Sequence, residues 1–141
     1  MGETGTGAVE RAPDAEGIID TDILVDAHRR VEAAQRFLEE RRVTMGLTIS
    51  IVSAMELVIG CQNAQALATI REFLQHCRTM PITTTISQRA YGLIELFFLS
   101  HGLLIPDSLI AATALEYDWT LYTKNVRHFR MIPGLRVIRP Y

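Results

Sequence analysis

The stretch Gly17-Ile18-Ile19-Asp20-Thr21-Asp22-Ile23-Leu24-Val25-Asp26 decides the fold, because a short apolar run ends abruptly in three acids spaced over seven residues. A buried strand that delivers carboxylates at its carboxyl end brings oxygen ligands to the rim of a parallel sheet, a natural seat for a divalent cation. The same acids read equally well as helix caps or Asx turns. The residues around the stretch must decide between these readings.

Upstream, residues 1–16 are rich in Gly, Thr, Glu and Ala, a composition that buries too little apolar surface to order itself, and the expectation is a flexible tail before a domain over 17–141. The glycines at its start lack the preceding strand and the Gly-Lys-Ser/Thr that a phosphate loop needs. Downstream, a short helix is expected near Ile23 to Arg29 and a second over Val31 to Arg42, with Val31, Ala34, Phe37 and Leu38 at helical spacing. Val43, Met45, Leu47 and Ile49 alternate with Thr44, Gly46, Thr48 and Ser50 at the two-residue period of a strand. Ser53 to Glu56 opens the next helix, Gly60 interrupts it, and Asn63 to Arg78 resumes it. Pro81 and Ile82 to Ile86 read as a third strand, and Ser87 caps a long apolar helix ended by His101-Gly102. Pro106-Asp107-Ser108 starts a further helix through Tyr117, and Thr120 to Thr123 and Leu135 to Ile138 read as final strands. Alternating strands and helices predict a three-layer α/β/α fold with a mainly parallel central sheet.

The chain has 141 residues, enough for one self-sufficient core, and is 48% hydrophobic, at the apolar end for such a domain, which points to apolar surface covered by a partner. A net charge of −2 provides no global basic field, so any nucleic acid must be held by locally placed Arg and Lys. Cys61 and Cys77 lack the spacing of a zinc or redox motif and read as reduced core thiols. The apolar runs are broken at Glu95, Ser100 and His101, short of a membrane span, and no secretory segment is recognisable. A cytoplasmic protein with no membrane contact is expected.

Asp20, Glu56 and Asp107 each have an ordinary explanation: Asp20 as a cap, Ser53-x-x-Glu56 as a capping box, Asp107 as a cap beside Pro106. Jointly they sit where strand ends or helix starts face one rim of the sheet, and Asn125 after the strand Thr120 to Thr123 lands there too. Carboxylates gathered in a partly desolvated site repel one another unless a cation neutralises them, which implies Mg²⁺ or Mn²⁺. A hard cation held by few carboxylates keeps open positions, which suits a phosphodiester and the activation of an attacking water.

Four ordered blocks, Ile18 to Asp26, Ser53 to Gly60, Pro106 to Ala114 and Leu121 to Phe129, resemble the motifs of PIN-domain ribonucleases, and among these the VapC-type toxins of bacterial toxin–antitoxin pairs. The resemblance covers the chain from Gly17 to Tyr141. It implies that Asp20, Glu56 and Asp107 are metal-binding acids, that Asn125 stands at or near a fourth and more variable acidic position, and that Thr21, Asp22 and Thr123 are the polar residues lining the site. It further implies RNA cleavage with Mg²⁺ or Mn²⁺, a homodimer, and silencing by a VapB-like antitoxin whose carboxy-terminal segment covers the site. Two departures stand out. His128 precedes Phe129 where many relatives carry an acid, and Asn125 is not an aspartate, so the last block provides no fourth carboxylate. One well-occupied metal and a weaker second site are expected.

Lys124, Arg127 and Arg130 surround the site and suit RNA phosphates, although a solvated loop explains them as well. His28, His76 and His101 have no ligand spacing and read as structural, Asp26 as a helix-surface acid. Tyr91 to Leu99 is apolar nearly all round its helix and reads mostly as core, with one strip left for a partner. Two alternatives remain open. Asp20-Thr21-Asp22 also resembles the Asp-x-Asp motif of haloacid-dehalogenase-type phosphatases, with Asp20 as nucleophile, and the absent fourth acid suits a PIN-like binding module without turnover.

Overall fold

The computed structural model describes residues 16–141. The expected tail lies outside the described residues, Glu16 excepted. Five strands and six α-helices follow: β1 (Gly17–Ile19), α1 (Thr21–His28), α2 (Glu32–Thr44), β2 (Leu47–Ser50), α3 (Ile51–Ile59), α4 (Ala64–Leu74), β3 (Cys77–Met80), α5 (Thr84–His101), α6 (Ile105–Tyr117), β4 (Thr120–Tyr122) and β5 (Val137–Ile138).

All strand pairing is parallel. β1 pairs with β4 from Gly17–Thr120 to Ile19–Tyr122, β4 pairs with β5, and β2 pairs with β3 from Leu47–Cys77 to Ser50–Met80. β2 also packs beside β1, so the two ladders abut in the order β3-β2-β1-β4-β5. Parallel neighbours require crossovers, and these place helices on both faces.

Alternation along each strand therefore divides the interior into two clusters. Ile18, Met80 and Leu121 point to one face, where they meet Ile86, Ala90 and Leu93 of α5 and Ile110, Ala111 and Ala114 of α6. Ile19, Leu47, Ile49 and Tyr122 point to the other, against Ile23 and Leu24 of α1, Leu38 of α2, Leu57 of α3 and Ile70 of α4. The result is the three-layer arrangement expected from the order of elements. Gly17 is required at its place, since a Cβ there would lie 2.5 Å from Tyr122 Cε2 and 2.8 Å from the Thr120 carbonyl.

Several boundaries differ from expectation. Val43 and Met45 are exposed, because α2 runs on to Thr44 and the strand starts only at Leu47 after Gly46 turns the chain with a positive φ. Thr48 and Ser50 are buried with Leu47 and Ile49, since a strand covered on both sides has no solvent face. The helix expected through Arg78 ends at Leu74, and the third strand is Cys77–Met80 instead of Ile82 to Ile86. Thr83, not Ser87, caps α5 by accepting from the Ile86 amide at 3.1 Å. The far end matches expectation: Gly102, at φ +67°, takes the left-handed conformation that closes α5. α5 is less buried than its composition implies, with Tyr91, Leu96, Phe98 and Leu99 exposed.

Candidate active site at the carboxyl rim

Parallel strands share one carboxyl rim. β1 passes directly into Asp20, β2 into α3 with Ser53 and Glu56, and β4 into Thr123. α6 feeds β4 and so runs against the strands, which puts its first turn, with Asp107, at the same rim.

Asp20 is both cap and site residue. One carboxylate oxygen accepts from the Thr21 amide at 2.8 Å, capping α1, and the other accepts from Thr123 Oγ1 at 2.8 Å. The side chain is nearly inaccessible, at 5% residue exposure. Burial, with the Asp22 and Asp107 charges adding to it and the two hydrogen bonds opposing, raises the Asp20 carboxyl to about 7.

Asp22 sits in the first turn of α1, where its Oδ2 accepts from the Lys124 amide at 2.9 Å and lies 3.3 Å from Thr123 Oγ1, whose proton it shares with Asp20. Among the described residues Asp22 Oδ1 is buried without a hydrogen-bond partner, and burial raises its carboxyl as well. Asp107 is raised by burial, lowered by nearby His128, and raised again by the Glu56 and Asp22 charges. His128 Nδ1 stands 3.8 Å from Asp107 Oδ2. Thr21 ties the second acid helix to the first: its hydroxyl donates to Glu56 Oε1 at 2.6 Å and lies 2.8 Å from Ser53 Oγ.

Asp20, Asp22, Glu56 and Asp107 thus share one rim and feel one another's charge. Asp22 adds a carboxylate to this rim from the first block, while the last block brings none. Among the described residues, no three His, Cys, Asp or Glu side chains form a ready-made cation cage. The donor set nevertheless suits a hard divalent cation: only oxygen ligands, three carboxyls driven upward by burial, and on Asp22 a buried oxygen left without a hydrogen-bond donor among the described residues. Such a cation would draw on Asp20, Asp22 and Asp107, with Glu56 held ready by Thr21.

Asn125 contributes its amide to Thr123 Oγ1 at 3.0 Å, while its exposed side chain faces a polar cleft lined with Lys124, Val126, Arg127, His128 and Arg139. Three residues acquire roles that sequence reasoning missed. Ser53 is not a cap. The cap of α3 is Ser50, three residues earlier, whose hydroxyl accepts from the Val52 amide at 3.0 Å, and Ser53 is fully buried beside Thr21. Asp26 is no free surface acid. Its Oδ2 accepts from Lys124 Nζ at 2.6 Å and from the Tyr141 hydroxyl at 2.8 Å, and the Lys124 bond holds its carboxyl below the usual range. Arg139 donates to the Lys124 carbonyl at 3.1 Å. The only sequence signal for Asp26 was its four-residue spacing from Asp22, which places both on one face of α1.

The histidines read as structural behave so where they are fixed: His28 Nδ1 lies 2.9 Å from the Leu24 carbonyl and its ring meets Phe73 edge-on. Cys61 and Cys77 are free and half-buried, and burial pushes the Cys77 thiol up to about 11.

Residues 18–134 match the PIN domain family. The chain is 37% identical over 120 residues to ribonuclease VapC10 of Mycobacterium tuberculosis, spanning 84% of this chain and 90% of that protein. It is 35% identical over 122 residues to ribonuclease VapC19 of the same organism, spanning 84% and 96%. Among solved structures, a toxin–antitoxin complex from Klebsiella pneumoniae superposes with a TM-score of 0.75 at 28% identity, covering 89% of this chain and 98% of that one. VapBC2 of Rickettsia felis, bound to a promoter DNA fragment, superposes with a TM-score of 0.73 at 24% identity, a likeness of fold.

Proposed function

Because the chain belongs to the PIN-domain family, we propose that it is an endoribonuclease of the VapC toxin type, dependent on Mg²⁺ or Mn²⁺ and silenced by a VapB-like antitoxin. The observation that carries the metal dependence is the buried Asp22 Oδ1, without a partner among the described residues, beside Asp20, whose carboxyl burial has raised to about 7. A rim built this way lacks positive charge.

When bound, a divalent cation supplies that charge, polarises the scissile phosphate and lowers the pKa of water. Asp20, Asp22 and Asp107 would hold the cation, with Glu56 completing the set. Thr123 holds Asp20 and Asp22 in register, and Thr21 and Ser53 fix Glu56. Asn125 lines the edge where the strand passes. The Asp-x-Asp phosphatase alternative assigns nothing to Glu56 and Asp107, although both face this rim. The binding-module alternative rests on the acid absent from the last block, and the observation against it is the number of carboxylates, Asp22 included, gathered at the rim.

An apolar groove lined by Ile94, Phe98, Leu104 and Ile105 supports a homodimer, since Phe98, Leu104 and Ile105 are well exposed. No helix among the described residues is long and apolar enough to cross a membrane, and RNA as substrate assigns the protein to the cytoplasm. The test is cleavage of structured RNA by the protein freed of antitoxin. Activity with Mg²⁺ or Mn²⁺, lost in chelator and in Asp107→Asn, is expected. Equal inactivity of wild type and variant in every divalent cation would overturn the reading.

A further inference from the structure

We propose that the cleft beside the acidic rim seats a phosphate of the RNA strand flanking the scissile bond, with Arg127 and Arg139 as the cations that hold it and Lys124 as the strut that fixes its floor. The inference rests on the ribonuclease reading and names the substrate contacts of that same site.

The cleft has a volume of about 360 Å³ and is lined by Lys124, Asn125, Val126, Arg127, His128 and Arg139, with no acid among them. It adjoins the rim through His128, which stands 3.8 Å from Asp107. Four carboxylates at the rim repel a polyanion, and a net charge of −2 gives no long-range attraction to offset them. A strand that reaches the rim therefore needs cations fixed beside it.

Which cations are open is settled by their bonds. Lys124 Nζ is engaged by Asp26 at 2.6 Å and is itself only partly exposed, so it is not available to a phosphate. Arg139 is pinned by a single hydrogen bond, Nη1 to the Lys124 carbonyl, which leaves the other edge of its planar guanidinium for a bidentate contact. Arg127 is exposed on the short 3₁₀ turn Val126–His128 and makes no hydrogen bond or ion pair among the described residues.

The backbone beneath them is held in place. Lys124 donates its amide to Asp22, Asn125 donates its amide to Thr123, and Asp26 anchors Lys124 and Tyr141 together. Arg139, reaching over from the end of β5 and held by the Lys124 carbonyl, is partly preorganised for an anion, and Arg127 projects beside it from the fixed backbone of the loop. An acidic protein segment is the competing occupant, and the adjacency to a phosphodiester-cleaving rim favours RNA.

The experiment uses the full chain freed of any partner. Binding of a labelled single-stranded oligoribonucleotide is followed by fluorescence anisotropy in chelator from about 50 to about 200 mM salt, with the RNA checked on a gel. Arg127→Gln and Arg139→Gln are each expected to weaken binding several-fold and to lower the slope of log affinity against log salt by about 0.7, the value of one phosphate contact on a single strand. Cleavage should show a raised KM with kcat within about twofold. A purely structural role for Arg139 would instead lower kcat. Arg127→Lys should restore most of the slope, and the distant Arg36→Gln should leave it unchanged. Wild-type slopes in both glutamine variants would overturn the proposal while leaving the ribonuclease reading intact. So would normal RNA binding with lost affinity for an acidic peptide. A wild-type protein that neither binds nor cleaves RNA would overturn the reading itself.

Discussion

Replacing Asp20 by asparagine is expected to abolish cleavage and yet to make the cation-free protein more stable at neutral and alkaline pH. Raising a carboxyl from 3.8 to about 7, at about 1.4 kcal/mol per pH unit, costs the folded state about 4 kcal/mol once the pH exceeds 7. The sign follows from the direction. The folded state holds the proton more tightly than the unfolded chain, so the penalty is absent below pH 3.8, grows between 3.8 and 7, and is constant above. Asparagine removes the charge, keeps the acceptor that caps the Thr21 amide, and exchanges the Thr123 contact for a weaker neutral one worth about 1 kcal/mol less. A net gain of roughly 2–3 kcal/mol at pH 8 is expected. Urea denaturation of both proteins in chelator at pH 8 and pH 5 measures it, and the gap should shrink by more than half at the lower pH. Added Mn²⁺ should then raise the midpoint of the wild type far more than that of the variant. A variant no more stable than wild type at pH 8, or a gap independent of pH, would refute the reasoning.

Thr21→Val removes the hydroxyl that holds Glu56 at 2.6 Å and should cost about 1–2 kcal/mol of stability and tenfold or more in cleavage rate. Thr21→Ser should recover both, and a fully active valine variant would show that Glu56 needs no such support. Gly17→Ala forces a Cβ against Tyr122 and the Thr120 carbonyl and should destabilise by about 2 kcal/mol, read as a lower urea midpoint. An unchanged midpoint would contradict the close approach of β1 and β4. Phe98→Glu combined with Ile105→Glu places charges in the exposed apolar groove and should halve the mass seen by light scattering with little change in Tm. A wild-type monomer, or a variant that remains dimeric, would locate self-association elsewhere.

Much of this architecture was legible because β1 and α1 meet at a hard boundary between apolar and acidic residues, and because Pro106, Gly102 and the alanine-rich α6 punctuate the second half clearly. The errors have identifiable causes. Phe73, Cys77 and Met80 satisfy a helical spacing as well as any helix does, and only the strand partner Leu47–Ser50 shows that the last four residues from Cys77 are extended. Thr83 to Thr85 have strand propensity but serve as a cap and first turn, since a threonine hydroxyl ahead of a helix satisfies a free amide. For the site, Asp20 and Asp107 were visible as acids at element starts. Ser53 was hidden because the capping-box reading gave it another partner. Asp26, Arg139 and Tyr141 were hidden because their meeting depends on how the end of β5 crosses α1, a tertiary contact without periodicity.

The bond between Thr123 and Asp20 spans 103 residues of sequence, and β4 must be in place between β1 and β5 before it can form. A chain that emerges from the ribosome amino end first therefore exposes Asp20, Asp22 and Glu56 long before the threonine that sets them in register is synthesised. The rim with both Asp107 and Thr123 is complete only once nearly the whole domain has been made. The connectivity of the fold thus ties the order of the site to the end of the chain: a copy truncated before β4 lacks the hydroxyl that sets Asp20 and Asp22 in register.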